Sequence, residues 1–189
     1  MKEIPLTNYQ LISYFAPGFI LVLCFFICND PIKDWPTLKI ALKEISISLT
    51  AIALFCSFIV GLIIDGFRNG CIEWLLDYRE RNRPAKDKIN WAFFYQGRKE
   101  DVALFYARYF TYYCFDINVV LALGLSVVML DIYSLLPHKV LVSSFFAVGA
   151  LMLLRDGLSL RIDMAQATNF TYPAGESNST PETSEEDMV

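Results

Sequence analysis

The sequence predicts an all-α, polytopic membrane protein with four transmembrane helices and a helical cytoplasmic hairpin between helices 2 and 3. The first observation is composition, because 55% of the 189 residues are hydrophobic and only 19% are charged, against about 25% charged in average soluble domains. The second is size, because a small domain buries only about two-thirds of its unfolded surface. The third is the grouping of the apolar residues into four long runs. These observations exclude a soluble globular enzyme and a largely disordered chain.

The four apolar runs approach the roughly 20 residues that a helix needs to cross a hydrocarbon core of about 30 Å. They cover residues 11–28, 45–64, 110–130 and 140–160. The unbroken apolar core of the last run ends at Leu154, which leaves a three-span alternative open. Only Lys2 precedes the first run and no small-residue cleavage site follows it, so we expect a retained helix rather than a signal peptide. Pro17-Gly18 inside this run predicts a kink.

The distribution of Lys and Arg predicts the orientation. Nine lie between residues 65 and 109, three between 29 and 44, and one between 131 and 139. The positive-inside rule therefore places the central segment in the cytoplasm, and four spans place both termini there too. The predicted layout is spans 1 and 2 in 1–66, the hairpin in 67–109, spans 3 and 4 in 110–167, and a disordered acidic tail in 168–189.

The central segment is predicted to contain a helix that leaves the second span and ends at Pro84, followed by a helix that enters the third span. Its apolar residues exceed what so short a hairpin can bury, which leaves open self-packing, a protein contact or a membrane surface contact. Its cluster of bases attracts anionic lipid. Direct nucleic-acid binding is not expected, since Glu80 and Asp87 dilute that cluster. The candidate partner-binding residues are Trp74, Arg79, Arg81, Arg83, Lys86, Lys88, Trp91, Phe93 and Phe94.

Small residues predict one helix-packing face in the membrane. Ala53, Ser57 and Gly61 recur every four residues, a spacing that lets a second helix approach closely, within one subunit or between copies. Pro17 and Gly18 are candidates for the same kind of contact. These residues are therefore predicted to pack helices or to join copies in a homo-oligomer.

Polar residues inside the third span are candidates for function, because intramembrane ionisable groups are costly and rare. Asp116 and Asn118 lie about two turns inside its predicted end. Arg155 is the natural partner of Asp116 if the third and fourth spans are neighbours. The alternatives are that Asp116 is shallow and hydrated, or that it bonds to a nearby tyrosine.

Signatures of catalysis or of a bound cofactor are missing from the sequence. It contains no GxSxG, HExxH, GxxxxGK[ST] or GxGxxG pattern, and Asp116 stands alone at depth. Its five cysteines form no CxxC pair, and His138 is the single histidine. We therefore expect no enzymatic activity, no metal and no cofactor.

Two short segments and the layout carry a resemblance to a known family. The segments are Ser-Tyr-Phe-Ala-Pro-Gly-Phe at residues 13–19 and Gly-Leu-Ile-Ile-Asp-Gly-Phe-Arg-Asn-Gly at residues 61–70, followed by the basic hairpin. Over about residues 1–165 the arrangement resembles the membrane subunits of the Kiwa bacterial anti-phage defence systems. The resemblance implies an oligomeric sensor of phage infection in the bacterial inner membrane, coupled to a cytosolic DNA-binding partner protein.

Two functions therefore compete. One is a non-catalytic sensor or scaffold that oligomerises and passes a membrane event to a cytosolic partner through the hairpin. The other is a membrane-depolarising channel or pore-forming effector, for which Asp116 and Asn118 are the supporting residues. Ion flux in liposomes distinguishes them.

Overall fold

A computed structural model describes residues 8–29, 36, 46–84, 87–133 and 139–171. These residues form helices and short connections, without a β-strand among them, which confirms the all-α prediction. The helices are α1 (Asn8–Asn29), α2 (Ile47–Phe67), α3 (Glu73–Glu80), α4 (Ala92–Gln96), α5 (Lys99–Phe105), α6 (Thr111–Tyr133) and α7 (Lys139–Thr171).

Four helical stretches are long and apolar enough to cross a membrane, as predicted. They are Leu11–Cys28, Ile47–Glu80, Lys99–Tyr133 and Lys139–Phe170. The fourth run meets the same criterion as the other three, so the three-span alternative loses its basis.

Two of these stretches are continuous because short π-helical segments join α-helices without a break. Arg68–Ile72 joins α2 to α3, and Tyr106–Phe110 joins α5 to α6. At 1.5 Å per residue, helices of this length span about 50 Å, which is about 20 Å more than a hydrocarbon core. The helix that leaves the second span ends at Glu80, a few residues before the predicted stop at Pro84.

The spans lie in the order α2, α1, α6, α7, each packed on the next. In the most apolar stretch of the third span half of the residues are buried, whereas at most 22% are buried in the corresponding stretches of the other three spans. α6 is therefore the central helix, and α2 and α7 present most of their apolar surface outward.

Glycines bring α1 and α2 into backbone contact. A Cβ added to Gly18 would lie 1.7 Å from the Ser57 carbonyl oxygen, and one added to Gly61 would lie 1.7 Å from that of Tyr14. Ser57 is fully buried between them and donates its hydroxyl to the Ala53 carbonyl at 2.7 Å. The predicted packing face at Ala53, Ser57 and Gly61 thus lies at a contact between two helices of one chain. α1 continues through Pro17 without interruption.

Beyond the spans, three segments of the chain converge in what we call the head (residues 68–84, 87–110 and 158–171). The central segment packs here on the end of α7 rather than only on itself. The Asn90 N–H donates to Thr168 Oγ1 at 3.1 Å, and the Asn169 amide donates to the Lys88 carbonyl at 2.7 Å. A buried cluster, which continues into the start of α6, fills the interior: Ile89, Phe93, Phe105, Tyr113, Cys114, Ile117, Met164 and Ala165.

The fourth helix is longer than predicted. α7 continues to Thr171, and Thr168 is fully buried against the head. The first residues of the predicted disordered tail, 168–171, are therefore helical. The rest of that tail, 172–189, lies outside the described residues.

Replacing Gly61 with Ala should destabilise the protein by about 1–3 kcal/mol, because overpacking a tight contact costs that much and its Cβ meets backbone that cannot move aside. Thermal unfolding in detergent measures the effect. Gly66→Ala is the matched control on the same helix, since nothing lies within 4 Å of its added Cβ. Equal melting temperatures for the two variants would contradict this contact.

Candidate functional site: a buried arginine network

Two arginines are buried where the membrane spans meet the head. Arg68, at the end of α2, and Arg161, on α7, are each 2% exposed. A guanidinium is always charged in proteins, so burial on this scale requires carboxylate partners. The partners of both arginines lie on α2 and α3.

Arg161 joins α7 to α3 through three carboxylates. Its Nη1 lies 2.5 Å from Glu73 Oε2 and its Nη2 lies 2.5 Å from Asp77 Oδ1. Its Nε donates to Glu80 Oε1 at 3.2 Å. Residues 73, 77 and 80 are spaced by four and three, so they share one face of α3. The planar guanidinium fork can meet several acceptors along such a face at once.

Arg68 connects to the same cluster from the membrane side. Its Nη2 lies 2.9 Å from Asp65 Oδ1, and its Nη1 lies 2.9 Å from Glu73 Oε1. Glu73 therefore bridges the two arginines with its two oxygens. Both guanidinium carbons lie 5.9 Å from the Tyr113 ring centroid, within the range of cation–π attraction.

Asn118 ties the network to two further helices. Its amide donates to Asp65 Oδ1 at 3.0 Å and to the Ser13 carbonyl at 3.4 Å. Helices α1, α2, α6 and α7 thus all contribute to one connected set of polar groups, which we call the arginine network. Its members are Asp65, Arg68, Glu73, Asp77, Glu80, Tyr113, Asn118 and Arg161.

The network carries an excess of negative charge, since four carboxylates face two guanidinium groups. The Asp77 side chain is 48% exposed, so water screens part of that excess. The described residues hold no group of three His, Cys, Asp or Glu side chains arranged for a metal ion. The ion pairs and hydrogen bonds of the network therefore hold several helices in one relative position.

Sequence reasoning did not identify Arg68 and Arg161 as site residues. Arg68 was counted only among the bases that orient the spans, because the sequence does not show which distant helix supplies a partner. The available signal was the placement of Glu73, Asp77 and Glu80 on one side of α3, opposite Trp74, Leu75 and Tyr78.

The ion pair predicted between Asp116 and Arg155 is not formed. Arg155 is exposed, while Asp116 is 6% exposed and its Oδ2 has no hydrogen-bond partner among the described residues. Asp116 faces α7 at Gly157, where an added Cβ would lie 3.4 Å from the Asp116 Cβ, and Asp156 on α7 is close enough to interact with its carboxyl group. Asp116 lies at the level where the apolar core of α7 ends, close to the shallow position considered as an alternative.

The predicted partner-binding residues divide between the surface and the interior of the head. Trp74 is 66% exposed and Trp91 is 44% exposed. Phe93 is 2% exposed and packs edge-on against Phe105 at 5.4 Å between ring centroids. Phe93 therefore belongs to the core, and the half-buried Phe94 packs on the same ring at 5.2 Å.

The predicted basic residues of this segment are mostly at the surface. Arg79 and Arg81 are exposed. Arg83 lies 3.7 Å from Glu80, and Lys88 donates to the Arg81 carbonyl at 2.6 Å. Lys86 lies outside the described residues.

No family model, curated protein or solved structure matches this chain.

Replacing Arg161 with Met should lower the free energy of unfolding by about 3–5 kcal/mol, because removing one partner of a buried pair leaves uncompensated charges. Here Glu73 and Glu80 lose their cation while they remain largely buried. Chemical unfolding in detergent, followed by far-UV circular dichroism, measures the loss.

Arg155→Met is the matched control, because Arg155 is an exposed arginine on the same helix. Arg161→Lys should fall between wild type and Arg161→Met, since one ammonium keeps the charge and loses the fork geometry. Equal stability of Arg161→Met and Arg155→Met would contradict the importance of the network.

Proposed function

We propose that this protein is a non-catalytic inner-membrane sensor and scaffold that oligomerises and couples a membrane event to a cytosolic partner through the head. The head lies on the cytoplasmic side in this proposal, because nine of the 16 Lys and Arg residues fall between positions 65 and 109. Both termini then lie in the cytoplasm as well.

The observation that carries the proposal is the rigid connection between the second span and the head. α2 continues through Arg68–Ile72 into α3 without a break, and Arg161 ties α3 to the end of α7. A change in the tilt of α2 therefore moves the head as a unit. Such a change arises at the contact with α1, where Gly18 and Gly61 allow backbone approach.

The resemblance to the Kiwa membrane subunits is the basis for the proposed stimulus and for the proposed partner. Phage infection is the membrane event in that reading, and the partner is a cytosolic DNA-binding protein. The outward apolar surfaces of α2 and α7 are available for contact with lipid and with further copies. Arg155 at the end of the apolar core suits an anionic lipid headgroup.

Spin-label distances in bilayers of different thickness test the coupling. In a cysteine-free background, labels on Leu11 of α1 and Leu75 of α3 should change separation by about 3–4 Å for a tilt of about 10°, because the head extends the helix by about 20 Å. Both positions are exposed. Double electron–electron resonance measures the separation.

The matched pair joins Leu75 to Ile162, two exposed positions on α3 and α7. Its separation should stay constant in the wild-type protein, since Arg161 holds these helices together, and should vary in Arg161→Met. A constant separation between Leu11 and Leu75 in every bilayer would contradict the coupling.

The channel alternative is favoured by three buried oxygens on α6 without a hydrogen-bond partner among the described residues, Asp116 Oδ2, Asn118 Oδ1 and Ser126 Oγ. We expect no conduction, because Asn118 is held by Asp65 on α2 and Ser13 on α1. Potassium-loaded liposomes that contain the protein should therefore keep their gradient as protein-free liposomes do. A flux that Asp116→Asn abolishes would instead support the channel.

A further inference from the structure

The acidic and the basic residues of α3 and its C-terminal end lie on different sides of the helix. Glu73, Asp77 and Glu80 face the arginine network and are bound by Arg161. Arg79 and Arg81 are exposed and form no salt bridge within the described part of the chain. Positive charge therefore predominates on the outward side, although Asp77, which Arg161 binds, is itself 48% exposed.

Apolar side chains share this outward side. Trp74, Leu75 and Tyr78 are 66%, 54% and 64% exposed, and the Trp74 and Tyr78 rings stack with 6.0 Å between centroids. We call these residues, with Arg79 and Arg81, the outer face of α3. A patch that combines stacked aromatic rings with unpaired arginines is typical of a binding surface.

Lipid does not account for this face. Trp74 is nine residues beyond Asp65, which ends the apolar run of α2, so it lies about 13 Å further along the helix. The headgroup layer on one side of a bilayer is only about 5–7 Å thick. The outer face therefore reaches the aqueous phase, where an apolar patch of this kind indicates contact with protein.

The chain itself carries a segment of matching chemistry. Residues 172–189, which follow the end of α7, contain no base and five acids, Glu176, Glu182, Glu185, Glu186 and Asp187. Met188 follows the acidic run and supplies an apolar, polarisable side chain that suits aromatic rings. Charge and apolar character thus complement the outer face.

The segment is also long enough to reach it. Eighteen residues span at most about 60 Å when fully extended. Thr171 lies ten residues beyond Arg161, or about 15 Å along α7, and Arg161 itself touches α3. The separation is therefore well within the maximum reach of the segment, and docking within one chain has an effective concentration of the order of millimolar.

We propose that the acidic segment 172–189 docks on the outer face of α3 of the same chain, with its carboxylates on Arg79 and Arg81. Docking covers Trp74 and Tyr78 and withholds this surface from other proteins until the segment is displaced. The proposal does not depend on the proposed function, since it concerns only one chain.

Photocrosslinking of the full-length protein in liposomes tests the contact. With p-benzoylphenylalanine in place of Tyr78, we expect a crosslink to residues 172–189 in a product of monomer mass, identified by mass spectrometry. The same probe in place of Tyr133, which is 65% exposed at the other end of the protein, should give none. Raising NaCl from about 0.1 M to about 1 M, which shortens the screening length from about 10 Å to about 3 Å, should lower the yield severalfold.

Charge reversal makes the test specific. Arg79→Glu with Arg81→Glu should reduce the crosslink about tenfold, and Glu182→Lys with Glu185→Lys and Glu186→Lys should restore it. Arg155→Glu, which reverses an exposed cation elsewhere, should have no effect. Neutralising the acids alone, by Glu182→Gln, Glu185→Gln, Glu186→Gln and Asp187→Asn, should give the same loss without altering a described helix.

Four results would overturn the proposal. They are a crosslink that survives reversal of both arginines, a product of dimer mass, a crosslink to lipid, and a crosslink only to another protein.

Discussion

The structure depends on the need to neutralise two guanidinium groups that are removed from water. Neither Arg68 nor Arg161 can lose its charge by deprotonation, so each must meet carboxylates directly. That requirement places the acidic side of α3 against the part of α7 beyond its apolar core, and the Tyr113 ring lies within 5.9 Å of both cations. Removal of α3 or α7 from this junction would leave a buried charge without its partner. The head is therefore held by specific pairing rather than by apolar area alone.

Different forces act in the two parts of the molecule. Inside a bilayer, lipid tails are as apolar as the side chains, so the hydrophobic effect does not drive helices together. Van der Waals contact between closely approaching backbones stabilises their packing instead. Gly18 and Gly61 provide that contact between α1 and α2. Outside the bilayer the hydrophobic effect returns, and a small core around Phe93, Phe105 and Met164 forms beneath the charged junction. The arginine network lies between the glycine contact of the spans and the apolar core of the head.

The spans could be predicted from the sequence because the length and hydrophobicity of an apolar run decide whether it can cross a bilayer as a helix. The α1–α2 contact face was also visible, since a four-residue spacing of small side chains is a local pattern. The side-chain contacts between helices distant in sequence could not be predicted. Arg155 was chosen as the partner of Asp116 on the assumption that the third and fourth spans are neighbours, whereas the buried arginine of α7 is Arg161, about 1.7 turns further along. Phe93 was assigned to the surface because nothing local reveals that α7 extends far enough to cover it.

The π-helical segments determine where this sequence can change in length. In Arg68–Ile72 the Glu73 N–H bonds to the Arg68 carbonyl, so this turn holds one residue more than an α-helical turn. Deleting a single residue there would restore α-helical winding and leave Glu73, Asp77 and Glu80 facing Arg161, because the widened turn had absorbed the extra residue. Deleting a single residue between Glu73 and Asp77, in regular α-helix, would instead rotate everything downstream by about 100°. Descendants of this gene can thus lose one codon at the π-helical turn, whereas the same loss within α3 would misalign the junction.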